Sequence, residues 1–196
     1  MKLTVKASRV ATAVTIFSAL AAGCAPPTTQ PEPAPNPSAG LTTRALCESL
    51  ESLFTENFQA IDVKTWSITD GPLFEEPIAI SGLCEASSSA DNAFYGKVSI
   101  RNAPDDPNPI GPMAANYIET LVDGETVMVF DKRKDPKWEV SSVEIAATID
   151  GWFGELRVDP ETTRTAGGSL NFTEAEQETA AQYLVATLRS AAKSTN

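Results

Sequence analysis

This sequence predicts an α+β fold: a mainly antiparallel twisted sheet of about six strands, with N-terminal, middle and C-terminal helices packed on it. Three observations carry that expectation. Two alternating apolar runs meet at Asp150-Gly151, a dipeptide suited to the tight turn of a β-hairpin. Thr173-Glu174-Ala175-Glu176 has the form of a capping box ahead of an Ala/Leu-rich run at helical spacing. Near the start of the domain, Thr43 to Phe58 repeats its apolar residues every three or four positions. Helices at both ends with strands between them sort into a sheet with its helices on one side.

The chain divides into three parts, 1–23, 24–40 and 41–196. Lys2, Lys6 and Arg9 precede an uncharged, mostly apolar run from Val10 to Ala22, which is short for a membrane span and suited to the hydrophobic region of a secretory signal. The run ends Leu20-Ala21-Ala22-Gly23-Cys24. That end resembles the lipobox of bacterial lipoproteins, with its leucine one place early, and the resemblance implies a diacylated Cys24 as the first mature residue. Ordinary signal cleavage after Ala21 is the alternative. Residues 25–40 hold six of the 14 prolines and little apolar bulk, which makes them a semi-extended tether reaching up to about 50 Å.

Within 41–196, Leu46, Cys47, Leu50, Leu53, Phe54 and Phe58 form the apolar stripe of the first helix, with Glu48, Glu51 and Glu56 opposite. Strands are expected at Val63–Thr69 and Ile78–Ala86, separated by the turn-rich Asp70-Gly71-Pro72 and Glu75-Glu76-Pro77. Another is expected at Phe94–Arg101, where Phe94, Gly96, Val98 and Ile100 alternate with Tyr95, Lys97, Ser99 and Arg101. Pro104, Pro107 and Pro109 force an irregular loop, and Pro112 suits the first turn of a short helix through Met113, Tyr117 and Leu121. A short strand at Thr126–Phe130 precedes the Asp-Gly hairpin. There a two-residue turn sets Ile149 opposite Trp152, Ala147 opposite Gly154, Ile145 opposite Leu156 and Val143 opposite Val158, with Glu144 facing Arg157 on the other side. In the last helix Ala180, Leu184, Leu188 and Ala191 form the stripe that packs on the sheet.

Charge and composition narrow the function. The chain has 15 basic and 26 acidic residues, a net charge of −11 and no histidine. Because the first 23 residues hold three of the bases and none of the acids, the remainder is near −14. Such a body lacks the basic face that nucleic acid requires. Without histidine there is no Ser-His-Asp or Cys-His catalysis and no histidine-ligated zinc or haem. Lipidating Cys24 leaves Cys47 and Cys84 to pair in an oxidising envelope, pinning the first helix to the strand that carries Cys84. Neither cysteine lies in a CxxC motif.

Candidate sites are few. Lys132, Arg133, Lys134 and Lys137 place four bases in one loop of an acidic protein, a possible contact for an anionic lipid or wall polymer against the plainer reading of a solvated turn. Trp66, Phe94, Phe130 and Trp152 are the aromatics expected to line any apolar pocket, the plainer reading being ordinary core. Asp105-Asp106-Pro107-Asn108 has oxygen donors but lacks the further ligands of a calcium loop. Glu75-Glu76, or Asp159 with Glu161, could act as acid and base, and a serine-lysine pair carries no motif to mark it. No cofactor or metal is implied.

The lipobox-like end, the Pro/Thr tether, the opening Ala45-Leu46-Cys47-Glu48-Ser49-Leu50, the second cysteine at Cys84 and the closing Ala/Leu-rich helix together resemble small cell-envelope lipoproteins of actinobacteria, of mycobacterial and corynebacterial type. That resemblance implies lipid anchoring on the outer face of the cytoplasmic membrane and an α/β sandwich, and supplies no catalytic residues. The leading expectation is a non-enzymatic binding or interaction domain, with a lipid, an envelope polymer or an envelope protein as partner. A histidine-independent hydrolase of envelope polymers is the alternative.

Overall fold

The computed structural model describes residues 40–67, 75–106 and 110–193. The signal-like segment, Cys24, nearly all of the tether, the Asp70-Gly71-Pro72 turn, and Pro107 and Pro109 lie outside the described residues. The first helix, α1 (Thr43–Ser52), starts where the Thr42 hydroxyl accepts a hydrogen bond from the Ala45 amide at 3.1 Å, and it widens into a π-helical turn at Leu53–Asn57. Strands β1 (Val63–Ser67), β2 (Ser81–Ser88) and β3 (Phe94–Asn102) follow, then a 3-10 turn at Gly111–Asn116. The second half holds β4 (Ile118–Val122), β5 (Glu125–Asp131), a 3-10 turn at Lys132–Lys134, β6 (Val143–Ile149) and β7 (Trp152–Val158). A two-residue ribbon, β8 (Arg164–Thr165) with β9 (Gly168–Ser169), leads into α2 (Glu174–Lys193).

The fold is α+β, with a seven-stranded antiparallel sheet in the order β1-β2-β3-β7-β6-β5-β4. It joins two meanders, one of three strands and one of four, along the β3–β7 pairing. The Asp150-Gly151 hairpin has the register its alternation implies, down to Glu144 opposite Arg157. Both turn residues have positive φ, 48° and 80°, which favours Asp and Gly there. The capping box also forms: the Glu176 amide donates to the Thr173 hydroxyl and the Glu176 carboxylate accepts from the Thr173 amide.

Two expectations change. Tyr117–Leu121 is not helical. Residues 111–116 make only a 3-10 turn, and Ile118–Val122 is a strand, paired with β5 around Asp123-Gly124, whose φ values of 51° and 85° repeat the geometry of the second hairpin. The proline at position 112 set the turn, but the second Asp-Gly dipeptide made a strand of the residues leading up to it. The described part therefore has two α-helices and seven main strands, rather than three helices and about six strands.

Both helices cover one face. A Cβ added at Gly154 would lie 2.8 Å from Leu188 Cδ2 and 3.0 Å from Leu184 Cδ1, so α2 seats directly on β7, while Phe54 presses on Gly96 of β3. The fully buried Leu46, Leu50, Phe54, Val98, Ile145, Leu156, Leu184 and Leu188 fill the space between helices and sheet. The Cys47–Cys84 disulfide, with Cα atoms 5.4 Å apart, ties α1 to β2. The chain leaves β3 in mid-sheet and re-enters at the β4 edge, about 19 Å away at ordinary strand spacing. At the end of this crossing Tyr117 stacks on Phe130, centroids 5.5 Å apart, and donates to Glu144 Oε2 at 3.1 Å, both on the face away from the helices.

Candidate functional site

Two helices cannot cover seven strands. A helix with its side chains is about 10 Å across and spans roughly two strands at 4.8 Å spacing. With α1 over the β1–β2 side and α2 mainly over β6 and β7 and touching β4 more lightly, the described helices cover the β5–β4 edge only in part. A groove of about 570 Å³ lies there. Its floor is Val129 of β5 with Ile118, Thr120 and Val122 of β4, residues that share the helix-side register with Ala147 and Gly154. Its other wall is Glu174, Gln177, Glu178 and Ala181 of α2, whose spacing sets them on one helix face. Ile118 and Leu121 are each 73% exposed, although both are large aliphatics on a strand.

One end of the groove is locked by Asp131. Its carboxylate takes both Arg133 Nε and Arg133 Nη2 at 2.8 Å, with Lys134 Nζ at 3.6 Å and Gln177 Nε2 at 3.3 Å. Burial alone would raise this carboxyl, but hydrogen bonds from Arg133 and the charges of Arg133 and Lys134 hold it below the usual range. Arg133 also donates to the Asn171 and Phe172 carbonyls at 3.3 and 3.1 Å, fastening the turn after β5 to the start of α2. At the other end Arg189 bonds the Asp123 carbonyl and the Glu125 carboxylate, both at 2.9 Å, securing the β4–β5 hairpin to α2.

Two of the four bases of the loop, Lys132 and Arg133, are turned inward. Lys132 is 11% exposed at its side chain, pairs with Glu144, and lies 5.5 and 5.3 Å from the Phe130 and Trp138 ring centroids. Arg133 is bound to Asp131 as above. Lys134 and Lys137 are exposed, Lys134 beside Asp131 and Lys137 beside Asp135 at 2.8 Å. The run of four bases is thus matched by three carboxylates, two of which the chain brings in from the end of β5 and from β6.

The four pocket aromatics do not meet in one cavity, which corrects that expectation. Trp152 is 1% exposed and sits in the core on the helix side. Trp66 lies on β1 at the opposite sheet edge from the groove, with Lys64 over its ring. Phe94 is covered by the Arg157 guanidinium, and Phe130 packs against Trp138. Alternation within a strand determines which face a residue takes, but which strands are neighbours is a property of the whole sheet. Of the four, Phe130 alone borders the groove, from a position on β5 whose ring lies on the face away from the helices.

Several of the carboxylates with catalytic potential are also engaged. Glu75 pairs with Arg44, Asp106 with Arg101 at 2.9 Å, and Asp159 lies 3.9 Å from Arg157. Glu144 and Glu155 occupy adjacent strands, and Glu155 is raised above the usual carboxylate range by burial and then by the charge of Glu144, against Lys97, Lys132 and Arg157. Burial and the same Glu144 charge push the Tyr117 phenol up. Among the described residues no helix is long and apolar enough to cross a membrane. No family model, curated protein or solved structure matches the chain.

The helix expected through Tyr117 and Leu121 hides the groove floor, which is a strand. The Asp123-Gly124 dipeptide, with Ile118, Thr120 and Val122 alternating before it and Val127 and Val129 after it, was the signal that would have found its floor.

Proposed function

We propose that the chain is a membrane-tethered, extracytoplasmic, non-enzymatic binding domain that holds its ligand in the groove between α2 and the β4 edge. The observation that carries this reading is the groove itself: an apolar floor beside a sheet edge that no other described strand pairs with, carrying two aliphatics 73% exposed. The lipobox-like end at Cys24 and the proline-rich tether support the location, since a domain on a tether of that reach is held close to a membrane while its groove stays open to the medium.

Two arms test the two halves. Replacing Cys24 by serine moves the protein out of the detergent-extracted membrane fraction or leaves it uncleaved; unchanged fractionation refutes the anchor. For the groove, Thr120 is exposed and faces α2, so Thr120→Trp fills the groove without entering the core, whereas Glu119→Trp puts the same ring on the other face of the strand. Titrated with the neutral dye Nile red, the parent and Glu119→Trp bind alike and Thr120→Trp binds at least tenfold more weakly. Equal binding by all three removes the groove as the ligand site.

A further inference from the structure

The geometry points to the ligand class: we infer that the groove takes an extended segment of a partner protein, rich in lysine or arginine between aliphatic residues, which adds to β4 as an eighth strand. The inference rests on the groove reading above. It starts from the hydrogen-bond pattern of the β4–β5 hairpin. Val122 and Glu125 flank a two-residue turn, so they exchange both backbone bonds, and bonded pairs then alternate along the ladder. Ile118, Thr120 and Val122 therefore bond to β5. Glu119 and Leu121 direct their N–H and C=O groups outward, away from the sheet.

An edge with outward donors and acceptors is a template for another strand, and proteins ordinarily blunt such edges with lysine, proline or a covering element. Here the edge carries exposed Ile118 and Leu121, one on each face, and a single charged residue, Glu119. A strand laid against it directs every second side chain into the groove over Val129 and the others across Leu121.

Charge selects the occupant. Glu119 on the strand and Glu174 and Glu178 on the facing helix form no ion pair among the described residues. Lys134, the basic residue in the groove lining, already lies beside Asp131. A lysine or arginine entering the groove lays its aliphatic stem on the apolar floor and brings its charge to the α2 carboxylates. An anionic lipid in the groove meets the Glu174 and Glu178 carboxylates, which form no ion pair among the described residues. A second copy brings the same acidic rim against itself, in a chain of net charge −11.

The test uses the full lipid-anchored chain in phosphatidylcholine nanodiscs and a capped six-residue peptide alternating lysine and valine, with its glutamate–valine counterpart as control. Affinity is read by anisotropy of labelled peptide, and the contact by residue-resolved hydrogen exchange. The lysine peptide binds and slows exchange at the Glu119 and Leu121 amides at least tenfold, and the glutamate peptide does not. Leu121→Pro removes one outward donor at an edge position that tolerates proline, and weakens binding more than tenfold. Glu174→Lys with Glu178→Lys, both exposed, weakens the lysine peptide about tenfold while the melting temperature holds; this pair decides the matter if the proline variant does not fold.

Four results overturn the inference: no peptide binding, equal binding of the two peptides, concentration-dependent protection of the same amides without peptide, or protection produced by anionic lipid alone. The third identifies a second copy as the occupant and the fourth a lipid. If the peptides fail while Nile red still distinguishes Thr120→Trp, the peptide inference falls and the groove reading stands. If the dye shows no such difference, the groove reading falls with it.

Discussion

Reducing Cys47–Cys84 is the perturbation whose size can be worked most directly from the structure. The bond closes a loop across 37 residues. In the chain-entropy model a loop of that length restricts the unfolded ensemble by about 13 cal/mol/K, or about 4 kcal/mol at 25 °C. For a domain of this size each kcal/mol moves the melting temperature by about 2–4 °C, so the reduced domain should melt about 8–16 °C lower. Cys47 and Cys84 are 4% and 0% exposed, so the native bond is shielded from reductant. Reduction is best done in denaturant, followed by refolding under reductant and a mass check of the two added hydrogen atoms. The reduced chain should still fold, because Leu46, Leu50 and Phe54 keep α1 seated on the sheet without the bond. The assay is urea unfolding and calorimetry of the two forms side by side. A reduced form with the parent's midpoint and melting temperature would falsify this reasoning, since it would mean that the cross-link removes no freedom the unfolded chain otherwise has.

Two further outcomes rest on single contacts. Gly154→Ala places a methyl 2.8 Å from Leu188 Cδ2 and 3.0 Å from Leu184 Cδ1, ends of two side chains that must shift, and should cost about 1 kcal/mol in urea unfolding, whereas a gain in stability would mean that α2 does not sit on β7 this closely. Glu155 has its folded-state pKa raised, so its contribution to stability is fully present below the unfolded carboxylate value and is lost as pH rises through the folded one. Glu155→Gln, neutral throughout, should therefore be more stable than the parent at pH 7, with the gap closing toward pH 4; a gap that widens on acidification contradicts the assigned direction.

The sequence by itself determined the features that a few neighbouring residues can encode. Asp150-Gly151 takes two positive φ values at little cost, which sets the β6–β7 register and with it the side chains that reach the core. Thr173 and Glu176 satisfy each other's backbone amides and start α2 where the capping box says. The disulfide was legible from cysteine arithmetic, because only two cysteines remain once Cys24 is assigned to lipid. The strand at Ile118–Val122 is encoded just as locally, because the Asp-Gly after it overrides the helix start that Pro112 offers before it.

The tertiary structure decided the features that depend on residues far apart in the chain. That β3 pairs with β7, leaving β4 at an edge, is set by packing two meanders into one sheet, and no local pattern specifies it. That order produces the separation of Trp66 from Phe130 and the capture of Lys132 by Glu144, while Arg133 is taken by Asp131, so that two of the loop's four bases are neutralised within the fold. The groove is a consequence of the same order: two helices, each wide enough for about two strands, rest on seven, and the β5–β4 edge is where α2 leaves part of the helix-side face open.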